Sequence, residues 1–316
     1  MELIESKTAF LFPGQGSQQI GMGLDLASAF PVAKKIYEQA DSMLGFSLSN
    51  IAWHGPLDYL NDTINTQPAL LIHSIAVLQV LKEKMSDFKP RMVAGHSMGE
   101  LSAIVASDSI PFKEALNLVR KRGTFMKKAG ETNPGGMAAI LGLDLFTVED
   151  ICNDASGDGE IVQVANDNCP GQVVISGARR ALEKSLQLAE KAGAKKVIKL
   201  AVSIAAHSPL MVDAQSDFNE AVDEAPISDP KVSIIGNVCA APLSTGAEII
   251  TDLKSQLNSR VRWHESINFM VSQGIDTFIE IGSGSVLTGL LKRINRKVTG
   301  ISIGSPEDFE KIESSF

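Results

Sequence analysis

The sequence is short of several things, and each shortage excludes a class of protein. Its 316 residues hold three cysteines, Cys152, Cys169 and Cys239. The count is odd and no pair has C-x-x-C spacing, which argues against a disulfide framework or a zinc knuckle and fits a reducing compartment. Basic residues are outnumbered, 29 against 37 acidic, for a net charge of −8, so nucleic acid is not the expected partner. The longest apolar stretch, Pro68 to Leu81, is interrupted by His73, Ser74 and Gln79. It is too short to span a bilayer and reads as a buried helix, so no membrane is expected. The N-terminus from Met1 to Lys7 is acidic and lacks a basic region before an apolar run, unlike a signal or transit peptide. A soluble, cytoplasmic protein is expected. The chain has no H-E-x-x-H, no His/carboxylate cluster with metal spacing and no Walker P-loop. Gly14-Gln15-Gly16-Ser17-Gln18 fails the dinucleotide fingerprint because Gln19 stands where a third glycine is needed. No metal and no cofactor are expected.

What remains is a globular composition, 44% hydrophobic and 21% charged, and a length that allows two domains or one domain with an insert. Thr8 to Phe12 reads as a buried strand ending at Pro13-Gly14, and Arg91 to Ala94 as a second. Helical spacing recurs over Met22 to Leu44, Gln67 to Met85, Glu100 to Ala106 and Phe112 to Ala129. From Gly135 to Ser203 the rhythm changes. Met137–Leu141, Ile161–Ala165, Gln172–Ser176 and Lys196–Val202 read as strands, with helices over Leu145–Ala155 and Ala178–Ala192. The order is β-α-β-β-α-β, the split unit of a ferredoxin-like domain. Helices over 209–224, 248–258, 264–273 and 286–294 and strands over 232–236 and 277–281 follow. The expected fold is α/β: a core (1–133 and 204–316) with a mostly parallel sheet covered on both faces, interrupted by a ferredoxin-like subdomain over 134–203.

Gly95-His96-Ser97-Met98-Gly99 matches G-x-S-x-G between an expected strand and an expected helix. A nucleophile elbow needs small residues two before and two after the serine, so that the backbones can pass and Ser Oγ is left exposed. The helix N-terminus adds free N–H groups and partial positive charge. A serine also needs a base. Of the five histidines, His96 adjoins the serine and is expected to point away from it, and His73 sits in the apolar helix as a hydrogen-bonded core residue. His54 and His264 lie beside Trp53 and Trp263 and read as surface or packing residues. His207 lies in a loop between a strand and a helix, where α/β catalysts place a base, and is one candidate on position alone. Arg122 lies on a helix beside Gly123, an odd residue for a helix interior that close packing or ligand approach would explain. Its neighbours Arg120 and Lys121 read as a solvated face.

Taken together, these residues resemble the malonyl-CoA:acyl carrier protein transacylases and the related acyltransferase domains of fatty-acid and polyketide synthases. The resemblance runs from Phe10 to Ile294. It rests on Phe12-Pro13-Gly14-Gln15-Gly16-Ser17-Gln18, the serine motif through Glu100, Arg122-Gly123-x-Phe125-Met126 and Met137-Ala138-Ala139-Ile140. It continues through Asn168-x-Pro170-Gly171-Gln172-Val173-Val174, His207-Ser208-Pro209-Leu210-Met211, Glu280-Ile281-Gly282 and Val286-Leu287-Thr288-Gly289-Leu290. It implies an α/β-hydrolase-like core with an inserted ferredoxin-like subdomain. It implies malonyl transfer from malonyl-CoA to the phosphopantetheine thiol of an acyl carrier protein, in ping-pong order through a malonyl ester of Ser97, with His207 as base. The backbone N–H groups of Gln15 and Met98 would form the oxyanion hole, Arg122 would clamp the malonyl carboxylate, and the Gln256 backbone carbonyl would orient the histidine. Asn166 and Asn168 would line the cleft. Supply of fatty-acid synthesis is the leading implication; a stand-alone acyltransferase loading a polyketide carrier is the alternative. Met98 replaces a commoner leucine, and Ser283 a usual proline. Ala206, small where a bulky residue would favour malonyl, leaves room for relaxed extender selectivity. A monomer is expected, with the acidic carrier docking on Lys195, Lys196 and Lys199 or on Lys292, Arg293, Arg296 and Lys297.

Overall fold

The computed structural model describes residues 3–85, 88–157, 159–202 and 204–313. Met1, Glu2 and Ser203, used in the reading above, lie outside the described residues. Among the described residues ten strands follow in chain order: β1 (Thr8–Phe12), β2 (Met92–Gly95), β3 (Gly135–Leu141), β4 (Val162–Cys169), β5 (Gln172–Ala178), β6 (Lys196–Lys199), β7 (Ser233–Ile235), β8 (Pro242–Leu243), β9 (Thr277–Ile281) and β10 (Thr299–Ile303). They form two sheets. The larger has the order β10-β9-β1-β2-β7-β8; all its pairings are parallel except β7 with β8. The smaller has the order β4-β5-β3-β6 and is wholly antiparallel. With one helix between β3 and β4 and another between β5 and β6, this is the ferredoxin-like arrangement.

The central strand β1 shows why the larger sheet needs two covering layers. All five of its residues are buried. Phe10 and Phe12 pack into the core with Leu70 and Ile75, whereas Ala9 and Leu11 pack on the other face with Trp263, Ile267 and Leu287. Alternation along a strand sends neighbours to opposite faces, so an uninterrupted apolar run marks a strand covered on both.

The helix Thr63–Lys84 lies in the first of these layers, and its residues are buried over most of its length. It starts at Thr63 rather than Gln67 because Asp62 caps it, accepting from the Ile64 N–H at 3.2 Å. Pro68 inside it cannot donate to the Ile64 carbonyl. Arg120 fills that vacancy, with Nη1 2.5 Å from the Ile64 oxygen and 2.8 Å from Asn65 Oδ1, while its guanidinium lies over the Phe46 ring. Arg120 is therefore not on a solvated face, as its charged neighbours suggested; Lys121 is exposed and pairs with Glu224. Gly123 is explained by close packing of the helix Phe112–Thr132 on the helix Thr63–Lys84. A Cβ there would lie 2.8 Å from the Thr63 carbonyl oxygen.

Several boundaries differ from expectation. β4 runs on to Cys169 through two register irregularities, so Asn166 and Asn168 stand on a bulged strand rather than in a connecting loop. β6 stops at Lys199. The two-residue edge strand β8, the edge strand β10 and the short helices Leu48–His54 and Leu57–Asn61 were not expected.

Candidate active site

The site forms where β2 turns into the helix Gly99–Ala106. Ser97 sits at the turn with φ +52°, a left-handed conformation that is uncommon for a non-glycine residue. The flanking glycines make the turn possible: a Cβ on Gly95 would lie 1.9 Å from the Gly99 carbonyl oxygen, and one on Gly99 would lie 2.2 Å from the Phe12 carbonyl oxygen. Asn237, from the loop after β7, braces the turn. Its Oδ1 accepts from the Ser97 N–H at 2.8 Å and its Nδ2 donates to the Gly95 carbonyl at 2.7 Å.

The Ser97 hydroxyl meets two groups. His207 Nε2 lies 2.8 Å away and Arg122 Nη2 lies 3.2 Å away. His207, itself at φ +60°, has Nδ1 2.9 Å from the Gln256 carbonyl oxygen and 3.1 Å from that of Ser259. Carbonyls only accept, so the ring proton belongs on Nδ1, and Nε2 is left as an acceptor for the serine hydroxyl. Burial, followed by the positive charge of Arg122, lowers the His207 pKa to about 3, against the opposing pull of the two carbonyls. The imidazole is neutral at physiological pH.

Arg122 is 1% exposed. Nη1 donates to Gln67 Oε1 at 2.7 Å and Nη2 to Gln256 Oε1 at 2.7 Å, while Nε has no partner among the described residues. Burial lowers its pKa to about 10, with Glu100 pulling the other way, so it stays charged at neutral pH. Neutral amide oxygens thus hold a buried cation beside the serine. Gln15, Ser97, Met98, Arg122, Asn166, Asn168 and His207 all line one cavity of about 910 Å³ between the two sheets. The Gln15 and Met98 backbone N–H groups have no backbone acceptor among the described residues.

Residues 9–304 match the acyl transferase domain family. The chain belongs to that family. It is 46% identical over 305 residues to the malonyl CoA-acyl carrier protein transacylase of Bacillus subtilis strain 168, covering 96% of each chain. Its fold is similar to the crystal structure of an acyl-carrier-protein-S-malonyltransferase from Bartonella henselae, with a TM-score of 0.94, 40% identity and 98% of both chains covered. It is also similar to a malonyl-transacylase solved in complex with its type II polyketide acyl-carrier protein, with a TM-score of 0.95 and 37% identity, covering 98% of this chain and 100% of that one.

The other histidines of this acyltransferase have partners away from Ser97 Oγ. His96 Nε2 lies 2.8 Å from Asn168 Oδ1, with the Trp263 ring at its edge. His73 Nδ1 lies 2.9 Å from the buried Tyr37 hydroxyl, and burial lowers its pKa to about 4. His54 is exposed, and His264 lies 3.6 Å from Asp167. Of the basic groups, Lys195, Lys196 and Lys199 are exposed, and Lys199 pairs with Glu183 at 2.5 Å. Lys292 and Arg293 stand on the helix Val286–Ile294, whose Val286, Leu287 and Leu290 line the cavity. Arg293 also reaches Gln172 on the smaller sheet. Three contributors had no signal in the sequence. Asn237 and Ser259 come from loops, and Gln163 on β4 donates through Nε2 to the His207 carbonyl at 2.8 Å. The resemblance pointed to Gln256 for its backbone carbonyl, and its side chain also holds Arg122.

Proposed function

We propose that this acyltransferase moves a malonyl group from malonyl-CoA to the phosphopantetheine thiol of an acyl carrier protein, supplying fatty-acid synthesis. The observation that carries the reading is the Arg122 guanidinium: buried, held by neutral amides, and 3.2 Å from the Ser97 hydroxyl. A cation that has lost water and touches no carboxylate favours a ligand that brings one, and a planar guanidinium grips a carboxylate bidentately. The relatives' names supply the two partners.

In this reading His207 Nε2 takes the Ser97 proton as Oγ attacks the thioester carbonyl. The Gln15 and Met98 N–H groups receive the resulting oxyanion. The carbon–sulfur bond breaks, the proton passes from His207 to the CoA thiolate, and a malonyl-serine ester remains. The carrier's thiol then gives its proton to His207 and attacks the ester, and Ser97 is restored. The Gln256 and Ser259 carbonyls hold the imidazole in the productive tautomer, in place of a third acid. Asn166 and Asn168 shape the cleft on the side of the smaller sheet. The carrier docks at the cavity mouth, on Lys292 and Arg293 of the cavity-lining helix together with Arg296 and Lys297. In this reading residues 1–133 and 204–316 form the catalytic core and 134–203 an inserted ferredoxin-like subdomain.

The test is the mass of the intact protein after mixing with malonyl-, methylmalonyl- and acetyl-CoA. Malonyl should load on the wild type and not on Ser97→Ala. A malonyl adduct that survives Ser97→Ala overturns the mechanism, and equal loading of methylmalonyl shows relaxed extender selectivity around Ala206.

A further inference from the structure

Behind the elbow, on the side away from the cavity, lies a cluster of buried polar side chains that the proposed chemistry does not use. Glu100 is in the first turn of the helix Gly99–Ala106 and is 0% exposed. One of its carboxylate oxygens accepts from the Asn237 N–H at 2.9 Å, and the other accepts from Gln256 Nε2. Asp252, on the helix Gly246–Gln256, is also buried and accepts from the next N–H groups of the same loop, Val238 at 3.3 Å and Cys239 at 3.1 Å. Two buried carboxyl groups therefore share one short loop. Like charges this close disfavour double ionisation, and burial together with Asp252 raises the Glu100 pKa well above the usual carboxylate range.

The consequence lies in the Gln256 amide. Its Nε2 donates both to Glu100 and to the Ser97 carbonyl, the latter at 3.1 Å, so its Oε1 faces Arg122 Nη2. The reversed amide would set an oxygen against two acceptors and an NH₂ group against a guanidinium donor. The Glu100 and Ser97 acceptors on one side and the Arg122 donor on the other together set an oxygen toward Arg122.

We infer that Glu100 is a positioning residue for acyl selectivity: it fixes the orientation of the Gln256 amide, and through it the place of the Arg122 guanidinium that receives the acyl carboxylate. The inference rests on the malonyl reading above. It assigns Glu100 no contact with substrate. It also accounts for an acid at this buried position, where an apolar residue would pack without the penalty of burying a carboxyl group.

The test compares kcat/KM for loading from malonyl-CoA and from acetyl-CoA in the wild type, Glu100→Gln, Gln256→Leu and the double variant. A glutamine at position 100 puts an NH₂ group among donors that a carboxyl oxygen now accepts from. The malonyl-over-acetyl ratio should fall by about tenfold in Glu100→Gln, with acetyl loading changed by no more than about threefold. In the Gln256→Leu background the same substitution should leave the ratio where Gln256→Leu alone puts it, because the intermediary is gone. Equal losses for both acyl groups, or effects on the ratio that multiply in the double variant, would overturn the inference. Should Glu100→Gln not fold, Glu100→Asp keeps the acid and withdraws it by one methylene. The ratio should then fall by a smaller factor, and an unchanged ratio counts against the role. A wild type that loads malonyl normally, combined with an unmoved ratio, removes Glu100 and leaves the malonyl reading standing. A wild type that loads neither group removes both.

Discussion

The two walls of the cavity are built differently. On the side of the larger sheet, Ser97, His207, Arg122 and Gln256 are tied to one another and to Asn237 and Glu100 by hydrogen bonds that leave little choice of position. On the side of the smaller sheet, the contribution is apolar surface from Met137, Ala139 and Val174, together with Asn166 and Asn168. That sheet reaches His207 through Gln163, which donates to its backbone carbonyl, and meets the elbow residue His96 through Asn168. Its edge strand β6 is mostly exposed. One wall is built for fixed geometry and the other for shape, so disturbing the first should cost far more than disturbing the second.

The largest expected effect follows from crowding the elbow. Gly95→Ala places a methyl 1.9 Å from the Gly99 carbonyl oxygen. Loading should fall by about a thousandfold or more, or the protein should not fold, as judged by acyl transfer and circular dichroism. Near-normal activity would show that the turn is less constrained than the contacts indicate. Next, Asn237→Ala removes the brace from the Ser97 N–H and strands the Gly95 carbonyl. It should lower unfolding stability by about 1–3 kcal/mol in a denaturant titration and reduce loading with it. Smaller still, Gln163→Ala loosens the reach from the smaller sheet to His207. A fall of about threefold in kcat is expected, with stability almost unchanged. A loss as large as that of Asn237→Ala would erase the contrast between the walls.

The smallest expected effect is a flat one. His207 must be neutral to accept the serine proton, and burial beside Arg122 lowers its pKa from 6.5 to about 3. The loading rate should therefore show no His207-linked fall between about pH 8 and about pH 5. An acid limb centred near the ordinary histidine value would show that the imidazole is more hydrated than its burial implies. Stability carries the opposite sign from a salt-bridged histidine. Between about 3 and 6.5 the unfolded chain binds the proton that folded His207 refuses, so stability should decline as pH falls through that window. His73, lowered to about 4, acts in the same direction.

The features legible in the sequence were those with a local signature. The elbow is five contiguous residues between a strand and a helix, and β1 is an unbroken apolar run. The β-α-β-β-α-β order is visible because each of its strands alternates or stays apolar over several residues. Position set the other four histidines aside and left His207 a candidate; the resemblance to the family named it, and the hydrogen bond to Ser97 explains why. Asn237, Gln163 and Glu100 were not legible as site residues, because a polar residue in a loop, on a strand or in the first turn of a helix carries no mark of its partner. The Asn237 bond to Ser97 spans 140 positions of chain. Arg120 looked solvated for the opposite reason: its charged neighbours are local, whereas the carbonyl left free by Pro68 lies on another helix. The edge strand β10, with most of its residues only half-buried, lacks the apolar run that marked β1.

A buried cation beside the nucleophile, with no carboxylate in contact, selects the acyl group. The most direct measurement is the ratio of malonyl to acetyl loading, as kcat/KM, in the wild type and in Arg122→Ala. The ratio should fall by at least about tenfold in Arg122→Ala while Ser97 still takes acetyl. Equal losses of malonyl and acetyl loading would contradict it and leave Arg122 a structural support for the serine alone.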